Sequence, residues 1–426
     1  MFRHPALTIA LATITVALPG AALAQPSAAQ EAPRVTLDEA LRMLAENSAE
    51  LRLARLRVGE AEGLARQSAA FPNPEIAGIH EPLGGEAGSY SETYLTASQR
   101  FDLSGARGAR SEAGARRLDA ALQLLRADSL RLAFEVKRTY VEALTSQEAR
   151  AVTERIASVF RDAARSASER HGAGDISLYD LRRIQVERGR YETLAADVEI
   201  EVRSVQRSLA LLVAPSGEEL RLAARALPSE TPPSVAGRQL DLGAAGRRAE
   251  LAAARAEVQA AAARVRLTRA ERVPDVTATA GFKRQSDGRR GAVLGLSAPL
   301  PLFDRGAGNV AAADAEARAA EERFALTRRQ LEVELLLATE RYEALTRRWE
   351  LIAADGMAQD DDLLSIALVA YAEGEMDLVE LLDAADAFHG TRLAQARLRA
   401  ALWIAYFDLE RAVGGFDIDP SSEVSR

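Results

Sequence analysis

Apolar residues along this chain recur with the spacing of helices in two stretches, residues 37–70 and 247–271, and each stretch ends near prolines. Beyond those prolines the spacing changes, and apolar residues occupy every second position, as in a strand with one apolar face. Regions 72–103 and 274–303 therefore each predict one β-hairpin.

The alternating positions define the expected strand faces. In the second hairpin the apolar row is Val276, Ala278, Ala280, Phe282, Leu294, Leu296, Ala298, Leu300 and Leu302. In the first hairpin Leu95, Ala97 and Phe101 alternate with mostly polar residues. The segments PLGGEAGSY and SDGRRG, rich in turn-forming residues, supply the two predicted turns.

Each hairpin is followed by a long helix-favouring stretch, Ser104 to Arg170 and Asp304 to Ala370, each 67 residues long. At about 1.5 Å per residue such helices measure about 100 Å, more than an ordinary globular domain. The returning stretches 176–212 and 247–271 together nearly match that length, which predicts two shorter helices stacked beside a long one. Segment 213–246 between them is rich in proline and glycine, and we expect a belt packed on the helices; a flexible linker is the alternative.

The two halves repeat each other. AELRLAR at 49–55 matches AELAAAR at 249–255, and the offset between matching positions stays between 200 and 202 along the chain. HGAGDISLYDL, at 171–181, and YAEGEMDLVEL, at 371–381, interrupt the helical stretches in the same way. We expect both interruptions to be the turning points of helical hairpins.

Residues 1–24 have the features of a cleaved signal peptide, with a basic start, an apolar run and the cleavage motif Ala22-Leu23-Ala24. The apolar run is shorter than the roughly 20 residues that span a bilayer, so a retained membrane anchor is the weaker alternative. The chain contains no cysteine, which excludes disulfides, thiolate metal sites and a lipidated N-terminal cysteine.

The charge pattern and the candidate chemistry exclude several functions. The formal net charge is −8 and arginines alternate with acidic residues, which argues against a nucleic-acid-binding surface. None of His80, His171 and His389 has a second histidine or a paired carboxylate at ligand spacing, and the Gly-rich SGARG lacks the lysine of a P-loop. We therefore expect no enzyme activity, no cofactor and no metal site.

The predicted strands require partners from other chains. An isolated hairpin is only marginally stable in water, and four strands are too few for a membrane barrel, which needs about eight. Strands of roughly ten residues match the length that crosses a bilayer when tilted. A small soluble sheet is the alternative.

Four segments carry a resemblance to a known family: FPNPE at 71–75, SQRFDLSGARGAR at 98–110, PLPLFDRGAGN at 299–309 and LERAVGG at 409–415. Together with the signal peptide, the duplication and the long helices, they make the chain resemble the TolC-like outer membrane efflux factors. The segments are most similar to the heavy-metal (cobalt, zinc, cadmium, copper) branch of that family.

The resemblance implies a mainly α-helical, duplicated protomer with a pair of transmembrane β-hairpins. Three protomers would form a homotrimer with a twelve-stranded β-barrel in the outer membrane lipid of a Gram-negative bacterium and a coiled α-helical barrel across the periplasm. The implied divisions are a signal peptide (1–24), a first ascending helix (25–71), hairpin 1 (72–103), helical hairpin 1 (104–212), an equatorial segment (213–246), a second ascending helix (247–273), hairpin 2 (274–303), helical hairpin 2 (304–413) and a tail (414–426).

The implied function is the exit duct of a tripartite pump, working with a periplasmic adaptor (a membrane fusion protein) and an inner-membrane RND pump to export heavy-metal cations. A duct for drugs or other organic solutes is an alternative within transport. A periplasmic coiled-coil adaptor or scaffold protein is the alternative from another class.

Resemblance and spacing together assign roles to the two helical tips, near 171–180 and 371–383. The expected adaptor-docking residues are Gly172, Gly174, Asp175, Leu178, Asp180, Leu181, Gly374, Leu378 and Leu381, although the leucines could instead pack inside the hairpins. The expected constriction consists of Tyr371, Met376, Glu380 and Asp383. Met376 departs from the family pattern, which has an arginine there, so we expect acidic side chains that favour cations; a solvated acidic helix face is the alternative.

Overall fold

A computed structural model describes residues 34–85, 88–214, 220–233, 246–354 and 360–415. The predicted signal peptide lies outside these ranges, as does the predicted tail from residue 416 onwards. The described part is mainly helical and carries two β-hairpins, which confirms the predicted fold class.

The helices are α1 (Leu37–Asn47), α2 (Ala49–Ala69), α3 (Ala106–Ala173), α4 (Leu178–Val213), α5 (Ala249–Ala270), α6 (Ala307–Ala354), α7 (Asp360–Glu373) and α8 (Leu378–Ala412). The strands are β1 (Arg34–Val35), β2 (Glu75–Gly85), β3 (Gly88–Phe101), β4 (Arg221–Leu222), β5 (Val276–Gln285) and β6 (Arg290–Ser297). Ser48, whose hydroxyl accepts a hydrogen bond from the Leu51 N–H, caps α2 and divides the stretch 37–70 into two helices.

Both hairpins belong to one antiparallel sheet with the strand order β2-β3-β5-β6. The seam between the two halves is the β3–β5 pair, which runs from Phe101 opposite Val276 to Glu92 opposite Gln285. The sheet therefore has two unpaired edges, β2 and β6.

Strand β6 is shorter than the alternation of apolar residues predicted, because it ends at Ser297. The assignment of Ala298, Leu300 and Leu302 to the strand was wrong, since all three follow it. Pro299 and Pro301 keep the alternating pattern but lack the N–H that a strand ladder uses.

The two helical stretches that were predicted to have equal length differ from each other. α3 runs without a break for 68 residues, which corresponds to about 100 Å. The matching stretch of the second half contains α6 and α7, and residues 355–359 between them lie outside the described ranges. None of the helices in the described ranges is long and apolar enough to cross a membrane.

Near the sheet, the helices lie side by side in the same order as the strands to which they connect. α2 and α5 pack against the part of α3 near the sheet, where Arg131 pairs with Glu50 (3.1 Å) and Arg266 pairs with Glu112 (2.6 Å). α4 and α8 pack along the remainder of α3, and α6 packs against α5 and α8. Near the sheet the order is thus α2–α3–α5–α6.

The largest hydrophobic core lies where helices from both halves meet the segment predicted to be a belt. Leu220, Leu222 and Leu227 of that segment are buried there against the helices. Strand β4 pairs in parallel with β1, and the Tyr140 hydroxyl donates to the Val35 carbonyl (3.1 Å). Residues 220–233 are therefore packed rather than a free linker, while 215–219 and 234–245 lie outside the described ranges.

Candidate functional site at the helical tips and the sheet

The first tip turns on a glycine. Gly174 has a φ of 87°, a left-handed conformation that glycine adopts without strain, and it ends α3. Ser177 begins α4: its hydroxyl accepts from the Asp180 N–H (3.1 Å) and donates to the Asp180 carboxylate (2.6 Å). Gly172 and Asp175 are exposed beside the turn. Asp180, which was also predicted to contact the adaptor, takes part in the cap at the start of α4.

The second tip repeats the glycine and strengthens the cap. Gly374 has a φ of 80°, and Asp377 precedes α8. The Asp377 carboxylate accepts from the Glu380 N–H (2.8 Å), and the Glu380 carboxylate accepts from the Asp377 N–H (3.1 Å). Glu380, predicted at a constriction, therefore also closes a capping box.

The structure contradicts the expectation that all four tip leucines are exposed contact points. Leu181 and Leu378 belong to a buried cluster with α3, α4, α7 and α8, and Leu381 is 0% exposed. Leu178 alone of the four is open to solvent, with 56% of its surface exposed in the protomer. Leu181 and Leu378 pack in a cluster that contains helices of both halves, so they help to hold the two hairpins together.

The predicted constriction residues occupy two helices and the turn between them. Tyr371 is half-buried on α7, Met376 is partly buried in the turn, and Glu380 and Asp383 are exposed one turn apart on α8. The Arg170 guanidinium, from the first half, lies 5.9 Å from the centre of the Tyr371 ring. Burial raises the pKa of the Tyr371 hydroxyl above its ordinary value. Arg170 thus places a positive charge beside Tyr371, although position 376 of the second half is a methionine and not the arginine of the family pattern.

A buried aromatic cluster farther from the tip was missed by the sequence analysis. Tyr191 of α4 stacks on Phe160 of α3 (5.0 Å between ring centres), and its hydroxyl donates to the Asp386 carboxylate of α8. The Arg190 guanidinium pairs with the same carboxylate (3.1 Å). These contacts join the two helical hairpins.

His389 completes the cluster. It is separated from Asp386 by one turn of α8, and its Nε2 lies 3.1 Å from the Thr153 hydroxyl oxygen of α3. Burial lowers the pKa of its imidazole from the ordinary value of 6.5, although Asp386 acts in the opposite direction. The spacing of Asp386 and His389 was the available sequence signal, but their partners come from helices about two hundred residues away.

One face of the sheet carries most of its large apolar side chains, although Ile79 and Leu83 lie on the other face, opposite Tyr94 and Tyr90. Residues directly opposite one another on neighbouring strands share a face. The register places Phe282 beside Leu95 and Ala292, and Ala280 beside Ala97 and Leu294. The face that we call the apolar face contains the predicted positions Val276, Ala278, Ala280, Phe282, Leu294 and Leu296. Leu294 and Leu296 are 82% and 80% exposed in the protomer.

The opposite face carries a polar network. Glu92 accepts hydrogen bonds from the hydroxyls of Tyr90 (3.0 Å) and Tyr94 and from the Gln285 amide (2.8 Å), and it pairs with the Lys283 ammonium (2.5 Å). Such a network is stable beside water, whereas the apolar face requires a hydrophobic environment.

The described ranges contain no cluster of three or more histidine and carboxylate side chains that could hold a metal ion. The described geometry consists of a sheet with one mainly apolar face, long helices and two capped tips.

Comparison with known proteins gives concordant results. The chain is 25% identical to the cobalt-zinc-cadmium resistance protein CzcC of Cupriavidus metallidurans over 392 residues, which cover 90% of this chain and 91% of that protein. It is 27% identical to the nickel-cobalt-cadmium resistance protein NccC of Alcaligenes xylosoxydans over 302 residues, or 70% of this chain and 67% of that one.

The fold is similar to the Campylobacter jejuni CmeC outer membrane channel, with a TM-score of 0.76 and 15% identity over 96% of this chain and 94% of the other. The family model described as outer membrane efflux protein matches residues 40–213 and 243–415, one segment in each half. Since these segments cover most of the sequence, the chain belongs to the outer membrane efflux protein family.

Proposed function

We propose that three copies of this chain form the outer membrane exit duct of a tripartite RND-type pump that exports heavy-metal cations. The duct is passive, and its energy comes from the inner-membrane pump through a periplasmic adaptor. Residues 1–24 direct export and are removed. Family membership and the relatives' names support this proposal, and one structural observation carries it.

That observation is the pair of open edges. The strand order β2-β3-β5-β6 and the helix order α2–α3–α5–α6 end at the same two sides of the protomer. Two different open edges that fit each other produce a head-to-tail ring when the rotation closes. One edge is β2 with α2, and the other is β6 with α6.

Apolar side chains along both edges support ring closure. Large exposed apolar residues are unusual on a monomeric soluble protein when they form rows. On the side of α2 and α4 they are Leu53, Leu56, Leu64, Val186, Ile200 and Leu211. On α6 they are Leu326, Val333, Leu336, Leu337 and Leu351. Packing of one row against the other would remove both from water.

Three copies satisfy the requirements of the sheet. Four strands from each copy give twelve, an even number above the minimum of about eight for a membrane barrel. The apolar face then contacts lipid and the network around Glu92 faces the lumen. A periplasmic adaptor or scaffold does not require a sheet that has one apolar face and strands long enough to cross a bilayer. The duct is therefore favoured over that alternative.

The tips supply docking and closure in this proposal. The adaptor contacts the exposed first-tip residues Gly172, Gly174, Asp175 and Leu178 and the exposed Gly374 of the second tip. Around the axis, Tyr371, Met376, Glu380 and Asp383 form a constriction, in which three copies of each carboxylate attract cations. The basic neighbour of Tyr371 is Arg170 of the other helical hairpin. The contact that closes the constriction therefore differs from one formed within a single hairpin.

The cargo is tested by deleting the gene and measuring growth with Co²⁺, Zn²⁺, Cd²⁺ or Ni²⁺ and, separately, with a lipophilic dye. We expect lower tolerance of at least one of these cations, restored by a plasmid copy, and unchanged tolerance of the dye. Loss of dye tolerance alone would establish an organic-solute duct. Unchanged tolerance of both would contradict an efflux function.

A further inference from the structure

The apolar face of the sheet ends in a row of basic and hydroxyl side chains at the turn side of the strands. Arg284 of β5 lies opposite Thr93 of β3 and opposite Arg290 of β6, and Thr93 lies opposite His80 of β2. All four residues therefore share the face of Phe282 and Leu294. We call His80, Thr93, Arg284 and Arg290 the outer basic row.

The row begins where the apolar band ends. Arg284 follows Phe282 by two residues, or about 7 Å along the strand, whereas the band from Val276 to Phe282 extends about 20 Å. The other end of the band carries Phe101, beside Val276, which suits the interface where aromatic side chains anchor membrane proteins. The two ends of the face therefore differ in chemistry.

Among the described residues of the sheet, carboxylates occur on the polar face only. In the described parts of β2, β3, β5 and β6, the acidic residues are Glu75, Glu81 and Glu92, and all three lie on the polar face. Lys283 is neutralised there by Glu92. On the apolar face neither Arg284 nor Arg290 has a carboxylate partner within the described ranges, and both are exposed. The outer basic row thus has an unbalanced positive charge.

Two arginines directly opposite each other repel, and such pairs destabilise a sheet unless an anion lies between them. Guanidinium groups bind phosphate oxygens in a fork geometry, and the hydroxyl of Thr93 adds a donor. The Thr93 hydroxyl oxygen already lies 2.9 Å from the Nδ1 of His80, so the β2 and β3 part of the row is ordered before a ligand binds. The chemistry is that of a phosphate site at the edge of a hydrophobic band.

We infer that the outer basic row binds the phosphorylated glycolipid of the outer leaflet, with lipid phosphates on Arg284 and Arg290 and acyl chains against the apolar face. The inference rests on the proposed function, because helices on the periplasmic side of an outer membrane duct leave the turn side of the strands at the outer surface. Closure of the ring repeats the row three times around the barrel. An anionic lipid is favoured over a soluble anion because the row adjoins the lipid-facing band.

The test is native mass spectrometry of the purified full chain in detergent, titrated with bis-phosphorylated lipid A or with the same lipid after removal of its phosphates. The double variant Arg284→Gln with Arg290→Gln removes the row, and Arg289→Gln is the control, because Arg289 pairs with Asp287 in the turn (3.5 Å). The same spectra report the number of protomers, so the trimer and the lipid site are measured independently.

We expect lipid A to bind the wild type and the control equally, and to bind the double variant roughly tenfold more weakly or worse. The dephosphorylated lipid should bind all three weakly, and excess inorganic phosphate should not displace lipid A. Arg284→Lys with Arg290→Lys keeps the charge and should retain most of the affinity.

Equal binding of lipid A by the double variant would overturn the inference, as would equal binding of the dephosphorylated lipid by the wild type. Displacement by inorganic phosphate would show a general anion site instead. A trimer that binds no lipid A would contradict only this inference, whereas a wild-type chain that forms no trimer would contradict the proposed function and this inference together.

Discussion

Leu381 and Leu178 both stand in the first turn of a helix that follows a tip, yet the first is 0% and the second 56% exposed. Truncation of a buried leucine leaves a cavity, so Leu381→Ala should lower the free energy of unfolding by about 2 to 5 kcal/mol. Leu178→Ala should change it by no more than about 0.5 kcal/mol. Denaturant unfolding followed by circular dichroism measures both, and a larger loss for Leu178→Ala would contradict the assigned burial.

His389 makes stability depend on pH. Because burial lowers its pKa in the folded protein, the unfolded chain binds a proton first as the pH falls below 6.5, and stability declines until the folded pKa is reached. We expect the melting temperature to fall between about pH 8 and about pH 5, and to fall less in His389→Gln, which does not titrate. An identical decline in both proteins would show that other groups cause it.

Residue spacing placed the four leucines at the helical tips, but it did not show which of them are buried. Spacing shows that residues share a helix face, whereas burial depends on the neighbouring helix. Leu378 is buried because it meets helices of the other half, and Arg170 lies near Tyr371 for the same reason. No local pattern in the sequence links positions so far apart.

At the scale of elements, the absence of a side chain at Gly281 allows the two hairpins to pair closely. A Cβ atom there would lie 2.5 Å from the Leu95 carbonyl oxygen and 2.9 Å from the Thr96 Cα, both backbone atoms of β3. Gly281→Ala should therefore cost about 1 to 3 kcal/mol, the range for overpacking, and lower the temperature at which the oligomer dissociates on a gel.

Gly295, on β6, is the matched control, because a Cβ there would lie 3.7 Å from the Thr279 Cβ, an ordinary contact. Gly295→Ala should dissociate at nearly the wild-type temperature. Equal effects of the two substitutions would mean that the β3–β5 seam is not tightly constrained.

The period of the apolar residues was sufficient to predict the hairpins and α3, because each element is long enough to show several repeats. β1 and β4 have two residues each, too few to show a period, and they were missed. β6 was predicted too long because the alternation of apolar residues persists through Pro299 and Pro301. These prolines lack the backbone N–H that strand pairing requires. Chemical limits on the backbone, not the apolar pattern, determine where that strand ends.

At the scale of the whole molecule, the proposed constriction predicts ion selectivity. Glu380→Gln with Asp383→Asn should reduce the cation preference in single-channel recordings, since it removes two negative charges per copy near the axis. Glutamine retains an acceptor for the capping box at Asp377, so α8 should still begin normally.

The control for this experiment is Glu321→Gln with Glu322→Gln on α6, which removes the same charge far from the tip. It should leave selectivity nearly unchanged. Unchanged selectivity in the tip variant would support the alternative, a solvated acidic helix face.

The need for other chains could be predicted from the sequence, because four strands cannot close a barrel. The way in which copies meet could not, since it depends on the order of elements across the protomer. That order, with β2 and α2 at one side and β6 and α6 at the other, is apparent only from the packing of both halves.

The central claim is that these two edges close a ring of three. Single-particle electron cryo-microscopy of the purified full chain in lipid nanodiscs tests it most directly. The account predicts a three-fold ring in which β6 of one copy pairs with β2 of the next and α6 packs against the neighbouring α2 and α4. A monomer, or a two-fold dimer in which identical edges meet, would contradict it.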